Sequence, residues 1–142
     1  MILAIDFDGT IVEHRYPAIG KVRPFAFETL KALQRKGHQL ILWTFRSGKE
    51  LQEAVEFCRK HGVEFYAVNK NYPEEPWNEN DSRKIKADYY IDDRNISGLP
   101  SWGEIYHIIC PEEDMMEEKK RWGFWRRKGI DRLKSRVRKN KQ

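Results

Sequence analysis

The chain has 142 residues, 39% of them hydrophobic and 35% charged, with a net charge of +5. That suits one folding unit with a sizeable core and a polar surface, and it excludes a membrane-spanning helix, because the longest apolar runs are about four residues, as at Leu40–Trp43. No basic stretch followed by an apolar core precedes Asp6, so no secretory signal is expected and the expected compartment is the cytoplasm. Cys58 and Cys110 stand far apart with no CxxC spacing, which predicts two small core hydrophobes in place of a zinc site or disulfide framework.

The charge is unevenly spread. From Glu117 onward there are 12 Lys/Arg against 3 Asp/Glu, while the first 116 residues carry 15 against 19. The expected organisation is a mildly acidic domain over 1–116 and a basic tail over 117–142. Trp122, Phe124 and Trp125 lie inside the tail's positive run. Basic chain with interleaved aromatics suits nucleic acid or an anionic membrane surface; the alternative is a solvated segment whose rings pack on the domain.

In chain order, Ile2–Ile5 is a short apolar run that reads as a buried strand. It ends in Asp6-Phe7-Asp8-Gly9-Thr10. In extended chain the two carboxylates flanking Phe7 point to one side. Like charges held close resist joint ionisation, and a divalent cation offsets that cost. A solvated Asp-Gly turn is the competing reading. An EF-hand loop does not fit, since its glycine stands sixth and Gly9 is fourth from Asp6. Residues 11–22 are expected to form a small flap, with His14 and Arg15 either facing substrate or belonging to an ordinary polar loop.

Pro24–Lys36 reads as a helix, with Phe27, Leu30 and Leu33 at helical spacing and Gly37 as its stop. Gln39–Thr44 is the next strand. Ser47-Gly48-Lys49-Glu50 has the form of a capping box opening a second helix that stops near Gly62. Glu64–Val68 is a strand, and Asn69–Ser82, with two prolines, four asparagines and four acids, is a loop. A helical turn at Arg83–Lys86, a strand at Asp88–Ile91 and a last strand at Ile105–Cys110 complete the pattern. The expected fold is α/β: a doubly wound, Rossmann-like parallel sheet of about five strands.

Such sheets bind ligands beyond the carboxyl ends of their strands. The second strand ends in Thr44-Phe45-Arg46 and the fourth in Asp92-Asp93-Arg94-Asn95, with Lys84 and Lys86 just upstream. Three strand ends thus deliver two acids, a hydroxyl and two more acids to one edge.

Asp6-Phe-Asp8-Gly-Thr10, Thr44 after an apolar strand, an upstream lysine and Asp92-Asp93 resemble, in order, the four motifs of the haloacid-dehalogenase-like (HAD) hydrolase superfamily. The resemblance covers about residues 1–110. It implies a central strand that comes first in sequence and phosphoryl transfer through an aspartyl-phosphate. Asp6 would be the nucleophile, and Asp8 the general acid and base. Thr44 would bond a phosphoryl oxygen, and Lys84, favoured over Lys86, would balance charge. Mg²⁺ would be held by Asp6, the backbone carbonyl of Asp8, and Asp92 or Asp93, with Asp92 favoured as direct ligand. Asp8 marks phosphatases and phosphotransferases within the superfamily.

The gaps between motifs hold no cap domain, so the resemblance implies an open site. That suits a macromolecular or extended phosphorylated substrate, or a second copy of the chain closing the site. Arg46 and Asn69 follow strand ends and are candidate substrate contacts, although Arg46 equally suits a helix cap or an acid partner. The expected activity is a Mg²⁺-dependent phosphomonoesterase. The alternatives are a phosphotransferase or (deoxy)nucleotidase using the same site, the latter through a short likeness to the deoxyribonucleotidase branch around Asp88–Asp93, and a catalytically idle domain that binds nucleic acid or membrane through its tail.

Overall fold

Strand β1 (Ile2–Ile5) lies inside a four-stranded, all-parallel sheet in the order β3-β2-β1-β4. In this computed structural model residues 1–111 are described; the basic tail over 117–142 lies outside them. The other elements are α1 (Ala26–Arg35), β2 (Gln39–Leu42), α2 (Gly48–Lys60), β3 (Ala67–Val68), β4 (Tyr89–Ile91) and α3 (Trp102–Ile109). Contacts divide the chain into Met1–Gly103 and Glu104–Gln142. All strands among the described residues belong to the first unit. No helix among the described residues is long and apolar enough to cross a membrane.

The chain moves outward from β1 through β2 to β3, then returns to β4 on the other side of β1. The strand order therefore reverses at β1, which opens a crevice beyond its carboxyl end. Register brings the strand ends level: Ile5 pairs with Leu42 on one side and with Ile91 on the other. Asp6, Trp43 and Asp92 consequently leave the sheet at one edge.

Leu3, Ala4, Ile5, Leu40, Ile41 and Leu42 are all buried, as continuous apolar strands covered on both faces require. Helices α1 and α2 meet through rings: Phe27 lies 6.0 Å from Phe57 and stacks at 4.4 Å on His61, which caps α2, and Phe57 in turn lies edge-on to Phe7 beyond β1 at 6.2 Å. Ala4, Ile41 and Ala67 pack instead against Ile85, so the β3–β4 connection lays a loop residue, not a helix, on this group.

Two glycine stops form as predicted. Gly37 and Gly62 take φ values of 85° and 86°, and the following amides, His38 and Val63, close back onto Leu33 and Cys58. The apolar Cys58 site pushes its thiol up to about 12, so this cysteine packs as an inert hydrophobe.

Four expectations fail. The sheet has four strands among the described residues, because Ile105–Cys110 is not a strand: it falls in and just beyond α3. Its β-branched composition suggests extension, but Trp102, Ile105 and Ile109 are buried at helical spacing while Ile108 is exposed. Arg83–Lys86 is irregular, with the Lys86 amide bonded to Asn71 Oδ1 and the Ile85 carbonyl to the Tyr90 hydroxyl. β3 is confined to the two residues that pair with β2. Ser47 stands at the α2 N-cap, yet its side chain makes no cap bond.

The flap forms. The Phe7 carbonyl accepts from the amides of Thr10, Ile11 and Val12 at 3.2, 3.0 and 3.3 Å, and Glu13 N–H bonds Lys21 O at 2.8 Å. Gly20 lets the returning strand approach: a Cβ there would lie 2.0 Å from the Glu13 carbonyl oxygen. Gly20→Ala should therefore open the flap without unfolding the sheet. Hydrogen exchange at the Glu13 amide should rise about tenfold or more while β1 and β2 amides stay protected. Unchanged protection at Glu13 would show that this close approach is dispensable.

Candidate functional site

The end of β1 and the end of β4 bring three carboxylates together. One oxygen from each of Asp6, Asp92 and Asp93 lies within 4.8 Å of the other two. A set of hard oxygen donors this compact can hold a metal ion. Thr10 fixes its geometry: the hydroxyl donates to Asp6 Oδ2 at 2.8 Å and accepts from the Asp93 amide at 3.0 Å. Gly9 is required twice over. Its φ is 85°, and a Cβ there would sit 2.1 Å from Asp93 Oδ2, so only glycine lets this carboxylate reach the cluster.

The cost of the arrangement falls on Asp6. Burial, with the charge of Asp92 adding to it, pushes this carboxyl up to about 7, and the Thr10 hydrogen bond offsets part of the effect.

Asp8 has a different partner. Arg46 Nε and Nη2 each lie 2.7 Å from one of its carboxylate oxygens, a bidentate pair in which both side chains are essentially sealed from solvent. The remaining guanidinium N–H groups go to the carbonyls of Pro17, Ala18 and Glu50. All five donors of Arg46 are thus used. Of the three sequence readings of Arg46, as a substrate contact, a helix cap or the partner of an acid, the structure places it as the partner of an acid, and through Pro17 and Ala18 as the anchor of the flap.

Thr44 sits one residue past Trp43, at the same edge. Its amide donates to Asn69 Oδ1 at 2.8 Å, and its hydroxyl accepts from the Arg46 amide at 3.2 Å. Asn69 adopts a left-handed φ of 54°, a conformation asparagine tolerates better than most residues. Its side chain holds the end of β2 in place while also facing the crevice.

One cavity of about 910 Å³ is lined by Asp6, Asp8, His14, Thr44, Arg46, Asn69, Asp92 and Asp93. These expected site residues meet there. Lys84 is not among the lining residues: its ammonium lies over the Tyr90 ring, 4.6 Å from the centroid, and the neighbouring Arg83 lines the cavity. Lys86 is likewise outside the lining. Sequence reasoning did not nominate Trp43, Phe45, Ser47, Trp77, Arg83 or Arg94, all of which line the cavity. Arg94 was within reach of the strand-end rule that found Asp92 and Asp93. Trp77 and Arg83 lie on an aperiodic loop and carry no such signal.

No protein-family model and no curated protein matches the chain. Among solved structures, it is similar to a conserved protein coded by a locus from Bacteroides thetaiotaomicron, with 61% sequence identity and a TM-score of 0.73 over 77% of this chain and 88% of that one.

Arg46→Met leaves Asp8 buried without its ion partner and should cost about 3–5 kcal/mol of stability in denaturant unfolding. Replacing both, as Asp8→Leu with Arg46→Met, should cost less than the single change. An equal or larger loss in the double variant would mean that Arg46 acts mainly through the flap carbonyls. Asp6 sets a pH dependence of opposite sign to that of a salt-bridged acid. Its folded-state value of about 7 exceeds the ordinary 3.8, so the penalty is absent below 3.8, grows as pH rises between 3.8 and 7, and is constant above. It amounts at most to on the order of 4 kcal/mol. In metal-free protein, Asp6→Asn should therefore raise Tm at pH 8 and leave it nearly unchanged at pH 4. The same Tm difference at both pH values would refute this.

Proposed function

The chain belongs to the same family as that conserved Bacteroides thetaiotaomicron protein, and from the chemistry of the site we propose that it is a Mg²⁺-dependent phosphomonoesterase of haloacid-dehalogenase type, acting through an aspartyl-phosphate. The observation that carries the reading is the convergence of Asp6, Asp92 and Asp93 in one cavity with Asp8 and Thr44. Three hard oxygen donors with no imidazole or thiolate among them fit Mg²⁺. When bound, the cation screens the approach of one anion to another and stabilises charge on the transferring group.

In this reading an Asp6 oxygen attacks phosphorus, and the bond from phosphorus to the leaving oxygen breaks. Asp8 supplies the proton that the leaving oxygen takes. A water then attacks the phospho-aspartate with Asp8 taking its proton, which frees inorganic phosphate and restores the Asp6 carboxylate. Arg46 takes one lone pair on each Asp8 oxygen, so the proton that Asp8 transfers is carried on a lone pair the guanidinium does not use. Any metal contact from Asp8 is then through its backbone carbonyl, since its side chain stands outside the acid trio. Thr44 orients a phosphoryl oxygen through a hydroxyl whose position the Arg46 amide sets. The positive charge the reaction needs beside the phosphoryl group comes from Arg83 or Arg94 in place of Lys84. Among the described residues the flap and the β3–β4 loop border the strand ends and no cap domain does, so the reading is of a capless enzyme with an open site.

The test is turnover of an aryl phosphate by the full-length protein. Hydrolysis should require Mg²⁺ and vanish in Asp6→Asn. Asp8→Asn should lose about 10²- to 10⁴-fold in kcat, the usual contribution of general acid–base catalysis, while retaining metal affinity. Turnover surviving in Asp6→Asn would sink the covalent route.

A further inference from the structure

The cavity has two chemically distinct parts. One is the acid trio with Thr44 and Asp8. The other is a rim where two rings that the hydrolytic reading leaves unused, Trp77 and Phe45, stand beside the guanidinium groups of Arg83 and Arg94. Trp77 is 75% exposed and Phe45 64% exposed, and both line the cavity. Each is backed by a neighbour. The Arg83 guanidinium lies 5.8 Å from the Trp77 ring centroid, and Tyr16 of the flap packs on Phe45 at 4.9 Å. Phe45 stands between Thr44 and Arg46, two residues held by hydrogen bonds, so its ring is carried at a fixed place beside the reacting end.

Building on the phosphomonoesterase reading, we propose that the group attached to the phosphate carries a nucleobase, which stacks on Trp77 and Phe45 while Arg83 and Arg94 meet negative charge. Large rings left in water at a cavity mouth, beside guanidinium groups, match the face of a base and the charge of its phosphate. A hydroxyl-rich sugar alone would call for many neutral donors and acceptors. Among the described lining residues beyond the acids and cations, Ser47, Asn69 and His14 are the polar ones without a fixed charge besides Thr44, and Asn69 Oδ1 already serves the Thr44 amide. The volume of about 910 Å³ suits a whole nucleotide.

Nucleobase and phosphate occur together in free nucleotides and at the ends of nucleic acids, and the open rim admits both. The experiment measures equilibrium binding to the full-length Asp6→Asn protein with Mg²⁺ present, using adenosine 5′-monophosphate, ribose 5-phosphate and a 5′-phosphorylated tetranucleotide. The two base-bearing ligands should bind about tenfold or more tighter than ribose 5-phosphate, the size of one base–aromatic stack. Trp77→Ala, at an exposed position that the fold does not need, should bring that ratio to within about threefold. A tetranucleotide preferred about tenfold over the mononucleotide identifies a nucleic-acid end as the source; equal affinity identifies the free nucleotide. Equal binding of ribose 5-phosphate and the mononucleotide, or a preference that Trp77→Ala leaves intact, overturns the proposal. Aryl-phosphate turnover by the unsubstituted protein is the separate check on the reaction. A base preference without turnover would remove the phosphomonoesterase reading alone, and turnover without a base preference would remove this inference alone.

Discussion

The arrangement depends first on one buried ion pair. Arg46 and Asp8 leave the ends of β2 and β1, two strands whose register the sheet already sets, and their side chains close the space between those ends. Removing two full charges from water is costly, and the pair is tolerable because no donor on the guanidinium is left over. The flap backbone, the first turn of α2 and the strand-end acid all share that one group. A lysine could not do this, since it offers three donors at one point and lacks the planar fork that meets both carboxylate oxygens. Loop, helix and sheet edge are therefore coupled through a single side chain.

Next to this neutralised pair the sheet places a charge problem it does not neutralise. Asp6, Asp92 and Asp93 are gathered by strand register, by the Thr10 hydroxyl and by the absence of a side chain at Gly9. Within the described residues no cation is paired with this trio as Arg46 is paired with Asp8. The two halves of the Asp6-Phe7-Asp8 segment thus have opposite electrostatic settings: one acid is compensated by a guanidinium, the other has no such counter-charge among the described residues and is pushed up to about 7. Phe7 is buried between them, and Thr10 and Arg46 hold the two carboxylates in their separate settings.

What could be read from the sequence was whatever is local or periodic. The apolar run before Asp6, the stripe Phe27-Leu30-Leu33 and the glycine stops at Gly37 and Gly62 each carry their signal within a few residues, and each formed. The edge of the sheet could be read as well, because parallel strands bring their carboxyl ends together whatever the intervening chain does. α3 was misread because Ile105–Cys110 is rich in β-branched residues, while the start of its buried stripe, Trp102, lies in what looks like loop just after Pro100. The Arg46–Asp8 pair spans 38 positions and has no periodic trace. Lys84 and Arg83 differ by one position on irregular chain, where alternation gives no guide to which side chain faces inward.

The connection between β3 and β4 runs from Asn69 to Asp88 with no helix or strand of its own. It is pinned near its base, where Asn71 meets both Glu75 and the Lys86 amide and where Ile85 enters the sheet-face cluster. Between those pins, the span holding Trp77 and Arg83 borders the cavity but contributes nothing to strand register. A descendant of this chain can lengthen, shorten or rewrite that span and change what the crevice admits, while the acids keep their spacing. The architecture separates two inheritances: a sheet edge where almost any change is lethal to the cluster, and a loop free to drift toward new ligands.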